Sequence, residues 1–239
     1  MTTEPCLDAA SLVAALHKAY GGGPDGIIFD CDGVLVDSGP SNIRYYNLLR
    51  EGLGLPPITP EQERYVHMST AEQAIDAIIP LSLRPALREV ARTISYARDI
   101  MPLLTPFEGL RELLDACREH GLRLGVHTNR FDTMPQLLEH CGLTGYFDPV
   151  ITAAVAPAKP DPAGTRMVLD QWGMPAGRAL FLGDSPTDRD AAGAAGVPFL
   201  AFRNPDLSTS GCCCSYDDML VALETVWKAP VARRNPQPG

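Results

Sequence analysis

Lysine is almost missing from this chain. Among 239 residues there are three, Lys18, Lys159 and Lys228, and arginine carries the rest of the positive side-chain charge. A compact ammonium suits a phosphoryl oxygen or a crowded acid, so the isolated Lys159 in Ala-Pro-Ala-Lys-Pro-Asp-Pro marks a place to look for chemistry. Positive charge is also short overall, with a formal net charge of -9. That excludes a general nucleic-acid or membrane surface and leaves room only for a local cationic pocket that takes an anionic metabolite. No apolar stretch reaches transmembrane length, and the start Met-Thr-Thr-Glu-Pro-Cys-Leu-Asp lacks the basic-then-apolar order of a secretory signal, so the expected location is cytoplasmic. Cysteines are seven, and Cys6, Cys31, Cys117, Cys141 and the run Cys212-Cys213-Cys214 lack the spacing of a disulfide framework or a two-knuckle zinc site. Cys117 and Cys141 continue apolar helical stripes and read as small core residues, while the triple cysteine reads as a loop entering the last element. There is no internal repeat.

What is present is enough apolar material, 45% of the residues, for one large α/β domain or a domain with a smaller insert. Leu7 to Tyr20 has helical spacing and stops at Gly21-Gly22-Gly23-Pro24, an extra N-terminal helix within residues 1–24. Gly26-Ile27-Ile28-Phe29 is an apolar run ending in Asp30, the pattern of a buried parallel strand with an acid at its carboxyl end. From about Pro40 to Leu104 the sequence is helix-like, with Ile43, Tyr46, Asn47 and Arg50 on one series of turns and a second periodic stretch over Ala71 to Ile79. This gives a helical insert at 39–104 within a core of 1–38 and 105–239. Thr105-Pro-Phe-Glu108 has the form of a capping box and predicts a fresh helix at Thr105. Strands at Leu122 to Val126, Val150 to Thr152, Ala179 to Leu182 and Val197 to Phe202 then alternate with helices around Leu113, Leu137, Val168 and Asp188 to Ala195. Such alternation predicts right-handed crossovers and an α/β, doubly wound parallel sheet. The tail, residues 230–239, is rich in proline and polar groups and reads as disordered.

Four clusters fall at the carboxyl ends of predicted strands: Asp30-Cys-Asp32, Thr128-Asn129-Arg130, Lys159, and Gly183-Asp184-Ser-Pro-Thr-Asp188. In that order they resemble the four motifs of the haloacid dehalogenase superfamily, over a span from about Gly26 to Phe202. The resemblance implies a Rossmann-like core with an inserted helical cap. Elementary chemistry points the same way, because carboxylates converging on one point repel each other and call for a hard divalent cation with oxygen ligands, Mg²⁺ beside phosphate. Asp30 and Asp184 are the candidate side-chain ligands, and the backbone carbonyl of Asp32 is a third by family analogy. Asp188 is either a direct ligand, a support for one, or simply a helix N-terminal acid favoured by the dipole. The implied roles are Asp30 as nucleophile forming an aspartyl-phosphate, and Asp32 as the acid that protonates the leaving alkoxide and then activates water. Thr128, through hydroxyl and backbone amide, is expected to hold phosphoryl oxygens, and Lys159 to neutralise charge and position Asp30. Asn129 is a candidate phosphate-side group or a loop-former. His127 and Cys31 alternate away from their catalytic neighbours and read as buried, non-catalytic residues.

Residue tests narrow the branch. Dehalogenases of the superfamily lack the second acid, present here as Asp32, and phosphonoacetaldehyde hydrolases need a lysine in the insert, which has none. Sugar phosphomutases with this kind of insert usually carry a histidine where Asn42 stands. Thr128-Asn129-Arg130, Gly-Asp-Ser-Pro-Thr-Asp and Gly52-Leu-Gly-Leu55 look most similar to phosphoglycolate phosphatases, although those usually have lysine in place of Arg130 and a glycine-containing loop where this chain has Val66-His67-Met68-Ser69-Thr70. The expected activity is a Mg²⁺-dependent phosphatase for a small phosphorylated metabolite, phosphoglycolate-like or a sugar phosphate. A phosphomutase and a catalytically idle binding module are the alternatives. A carboxylated substrate would call for a cation from the insert, with Arg44 and His67 as candidates.

Overall fold

The computed structural model describes residues 6–67, 71–207 and 211–229. In chain order its first elements are β1 (Cys6–Leu7), α1 (Ala9–Tyr20), β2 (Gly26–Phe29), β3 (Val36–Asp37), α2 (Gly39–Gly52), α3 (Pro60–His67), α4 (Ala71–Ile78), α5 (Arg84–Thr93), β4 (Thr105–Pro106) and α6 (Leu110–Glu119). There follow β5 (Arg123–His127), α7 (Met134–His140), β6 (Val150–Ile151), α8 (Ala163–Trp172), β7 (Ala179–Gly183), α9 (Pro186–Ala195), β8 (Phe199–Phe202), β9 (Cys212–Cys213) and α10 (Tyr216–Lys228). The chain divides into two compact units, Met1–Val36 with Pro106–Gly239, and Asp37–Thr105. The expected tail at 230–239 and residues 68–70 of the insert lie outside the described residues, as does the side chain of His67.

In the larger unit seven strands form one sheet in the order β1-β9-β8-β7-β2-β5-β6, and the described pairings are parallel. This is the doubly wound sheet that the alternation predicts. Strands β2 and β7 are buried along their whole length, because helices cover both faces and leave no solvent side on which polar residues could alternate. One face packs Ile28, Phe181, Val168, Leu169, Trp172 and Ala192 into a continuous apolar cluster. Helix α1 adds Leu12, Leu16 and Tyr20, one buried stripe at helical spacing. It is capped by Asp8 and closed by Gly21 at φ 66°, and its Tyr20 hydroxyl donates to the Ala179 carbonyl at 3.0 Å.

Strand order reverses at β2, which has β7 on one side and β5 on the other. The register aligns Phe29 with both Val126 and Leu182, so the residues that follow on all three strands leave the sheet at the same level. A crevice at such a reversal, outside the carboxyl ends of the strands, is where open α/β sheets bind ligands.

The smaller unit holds helices α2 to α5 around Tyr46, Leu49, Ile58, Val66, Ala74, Ile78 and Ile79. Its one buried arginine, among the described residues, is structural: Arg50 donates from Nε to the Pro56 carbonyl at 2.5 Å and from a second nitrogen to Ile78.

Two expectations fail. Thr105 does not begin a helix: Thr105–Pro106 is strand β4, paired with β3 in a separate two-stranded sheet, and Phe107 N–H donates to the Leu35 carbonyl at 3.2 Å. Strand pairing engages this stretch in place of a cap, and α6 starts only at Leu110, after Gly109 at φ 75°. The triple cysteine is not a loop either. Cys212–Cys213 pairs with β8 as strand β9, and Cys214 is joined to Cys6 by a disulfide with a Cα–Cα distance of 5.6 Å. The partners are 208 residues apart, so local spacing carried no trace of the bond. Cys31, Cys117 and Cys141 are buried free thiols.

Candidate active site

The first cluster sits on a turn that the backbone ties to itself. After β2 the Cys31 carbonyl accepts from Val34, Leu35 and Val36 N–H, while Asp30 N–H donates to Leu182 O at 3.0 Å. Gly33 has φ 72°, and a Cβ there would overlap the Asp184 carboxylate, so the absence of a side chain lets the two acidic loops approach. Tyr216, buried and stacked on Phe202 at 4.5 Å, donates its hydroxyl to the Val34 carbonyl at 2.8 Å and braces the turn from α10. Cys31 points into the core, and burial pushes its thiol well above the ordinary range, as expected for a non-catalytic residue.

Asp30, Asp184 and Asp188 each offer a carboxylate oxygen within 4.8 Å of the others. Into this group reaches Lys159, whose Nζ lies 2.6 Å from Asp30 Oδ1, 2.5 Å from Asp188 Oδ1 and 2.9 Å from the His127 carbonyl. Burial opposes the ammonium charge, but the Asp30 and Asp188 carboxylates outweigh it and raise the Lys159 pKa. One cation does not balance three acids. Burial, followed by the Asp188 charge, raises Asp30 to about 7 against the pull of Lys159. Burial and the Asp30 charge raise Asp184 to about 8. An all-oxygen group of this kind suits a hard divalent cation.

Asp188 does two jobs. Ser185 caps α9 in a reciprocal capping box with it: Ser185 Oγ accepts from Asp188 N–H, and Asp188 Oδ2 accepts from Ser185 N–H at 3.0 Å. Its Oδ1 faces Lys159. One oxygen of Asp188 thus serves the helix terminus and the other the lysine.

The second cluster is arranged differently from its expectation. Thr128 N–H donates to Ile151 O at 3.0 Å, so the amide is taken by the β-ladder and does not face a phosphoryl group. The hydroxyl accepts from Arg130 N–H at 3.2 Å, which leaves its hydrogen to donate. Asn129 is a clamp: its Oδ1 accepts from Lys159 N–H at 2.7 Å and its Nδ2 donates to Lys159 O at 3.2 Å, so both ends of the carboxamide hold the backbone of the lysine. Both side-chain amide groups are thus turned to Lys159.

Asp32 stands apart from the three clustered acids. Arg130 grips it with Nε to Oδ2 at 2.8 Å and Nη2 to Oδ1 at 2.6 Å. Sequence reading passed over this pair because its members are 98 residues apart; the arginine in place of the more usual lysine was the signal for it. His127 is buried, with Nδ1 2.9 Å from Thr165 Oγ1, and burial together with the nearby Lys159 charge lowers it to about 4. Also missed was Asn204, whose Nδ2 donates to the Asp184 carbonyl at 2.8 Å. In the smaller unit, Arg44 is exposed on α2, where its charge helps lower the Asp99 pKa after stronger hydrogen bonds from Arg98 and Ser95.

A profile of the family described as haloacid dehalogenase-like hydrolase matches residues 27–202, most of the chain and all four clusters. The chain belongs to the haloacid dehalogenase-like hydrolases. Among relatives of this hydrolase, the phosphoglycolate phosphatase of Rhodospirillum rubrum is 33% identical over 217 residues, covering 82% of this chain and 88% of its own. The N-acetylmuramic acid 6-phosphate phosphatase of Pseudomonas aeruginosa is 31% identical over 184 residues, covering 74% and 80%. Among solved structures, a subfamily IA, variant 1 hydrolase of the superfamily from Geobacter sulfurreducens superimposes with a TM-score of 0.74 at 34% identity, over 85% of this chain and 98% of the other. Among the described residues of the hydrolase, no helix is long and apolar enough to cross a membrane.

Proposed function

We propose that this hydrolase is a Mg²⁺-dependent phosphatase that releases inorganic phosphate from a small phosphorylated metabolite through an aspartyl-phosphate on Asp30. The observation that carries the reading is the convergence of Asp30, Asp184 and Asp188 within 4.8 Å, the first and last buried and bonded to Lys159. The donors are all carboxylate oxygens, which fits Mg²⁺ and excludes a soft-metal preference. Asp30, Asp184 and Asp188 would hold it, with the Asp32 carbonyl as a further ligand by family resemblance. When bound, Mg²⁺ offsets the repulsion between the attacking carboxylate and the phosphoryl dianion.

The chain's own groups supply the rest. Lys159 fixes Asp30 by its Oδ1, which sets Oδ2 to attack phosphorus as the ester bond breaks. Asp32 gives a proton to the departing alkoxide and recovers one from the water that cleaves the aspartyl-phosphate. The Thr128 hydroxyl donates to a phosphoryl oxygen. Asn129 keeps Lys159 in place from behind. The helical insert, 39–104, acts as a cap that excludes water and reads the leaving group, with the core at 1–38 and 105–239. Both relatives' names denote phosphorylated acids, which supports a phosphoglycolate-like ester or an acidic sugar phosphate as substrate. Nucleic acid and membrane have no part in this reading.

Asp30→Asn tests it. Phosphate release across a panel of phosphorylated metabolites with Mg²⁺ should fall by about 10⁴-fold or more, with an unchanged circular dichroism spectrum. Retained turnover would sink the covalent route, and an isomeric sugar phosphate in place of inorganic phosphate would make the enzyme a mutase.

A further inference from the structure

The mechanism above asks Asp32 to present first a proton and then a lone pair to oxygens on opposite sides of a transfer step, which requires a fixed carboxyl plane. An aspartate with two free torsions and a side chain 39% exposed does not fix itself. Arg130 does this from outside the turn. Its side chain is 12% exposed, and its two parallel bonds to Oδ2 and Oδ1 match fork to fork, a geometry that an ammonium cannot reproduce. The arginine is itself anchored. Its N–H donates to Thr128 Oγ1, its carbonyl accepts from Ala153 N–H at 2.9 Å, and Nη1 lies 3.4 Å from Thr133 Oγ1.

We propose that Arg130 is a positioning residue that sets the direction of the Asp32 carboxyl group. This rests on the reading of Asp32 as the acid and base. With one fork bond kept, the other oxygen is presented to the ester oxygen. In the first half-reaction the Asp32 proton passes to the leaving oxygen as its bond to phosphorus breaks and the Asp30–phosphorus bond forms. In the second, Asp32 takes a proton from water as the water oxygen bonds to phosphorus and the Asp30 bond breaks, so the proton count closes over the cycle. Arg130 acts only through Asp32, forming and breaking no bond itself.

The test compares p-nitrophenyl phosphate, whose leaving group needs little protonation, with phenyl phosphate, whose leaving group needs more, on wild type, Asp32→Asn, Arg130→Met, Arg130→Lys and the double variant. Loss of acid catalysis in Asp32→Asn should lower kcat/KM for phenyl phosphate by about 10²- to 10⁴-fold and cost p-nitrophenyl phosphate much less. Arg130→Met should reproduce that preference, with at least about tenfold more loss on the poorer leaving group, and Arg130→Lys should recover only part of it. In the Asp32→Asn background, removing Arg130 should cost less than about twofold, because a residue acting through another adds nothing once that other is gone. Equal losses on both esters, or losses that add in the double variant, would overturn the proposal and make Arg130 a support for its own loop. If Asp32→Asn itself shows no dependence on the leaving group, the acid role fails and takes the proposal with it.

Discussion

Two cations serve the acids of this site, and they do so in opposite ways. Lys159 is buried and places one point charge between Asp30 and Asp188, with the His127 carbonyl as its third acceptor. Arg130 meets Asp32 with two aligned bonds, where the carboxylate is part-exposed. In low dielectric a shared charge offsets repulsion whatever its direction, whereas nearer water charge is screened and geometry is what remains to contribute. The difference explains why a lysine-poor chain places a lysine at one position and an arginine at the other. The first keeps acids together; the second aims one of them.

The strongest way to break the comparison is Lys159→Met. Removing a buried partner leaves Asp30 and Asp188 to repel each other without a cation, so unfolding free energy should fall by about 3–5 kcal/mol and phosphate release by about 10³-fold or more. Urea unfolding and a phosphate assay measure the two losses. Near-normal turnover would show that the reaction does not need the lysine charge there. A smaller effect probes the dry side through His127. Its pKa is lowered from 6.5 to about 4, so the unfolded chain takes up a proton first. The stability it contributes is complete above pH 6.5 and is lost as pH falls toward 4, about 3 kcal/mol in all. His127→Asn should flatten the acid limb of stability against pH; an unchanged limb would place the titrating group elsewhere. The least effect separates the two pairs by salt. Raising ionic strength from about 0.05 to 0.5 M should weaken the Asp32–Arg130 contact more than the buried one. The p-nitrophenyl to phenyl phosphate rate ratio should then shift by a few-fold while thermal stability holds; a stable ratio with falling stability would reverse the assignment.

Much of this was legible in residues that must stand at strand ends. Asp30, Thr128 and Asp184 each follow an apolar run short enough to be a buried strand, and the topology of a parallel sheet then brings them to one edge, where the loop after β6 adds Lys159. What could not be read depended on pairings made in three dimensions. Thr105 has the residues of a helix cap, but strand β3 competes for its backbone and wins. Thr128 was assigned an amide that β6 had already taken, because a local reading does not know which neighbour lies across the ladder. Asn129 looked like a phosphate ligand by its place in a motif, while its carboxamide has the shape to bracket a peptide and does so at Lys159. The Asp32 partner and the Cys6 partner were both hidden by distance along the chain.

The bond between Cys6 and Cys214 makes almost the whole described chain one covalent ring, with the helical unit carried as a segment of its circumference. A ring tolerates one cut. Cleavage of the backbone at a single point between the two cysteines leaves a molecule of unchanged size until reductant is added, when it parts into two pieces. Electrophoresis of a nicked sample with and without reductant therefore reads the ring directly, and a nicked hydrolase can keep all its parts tethered.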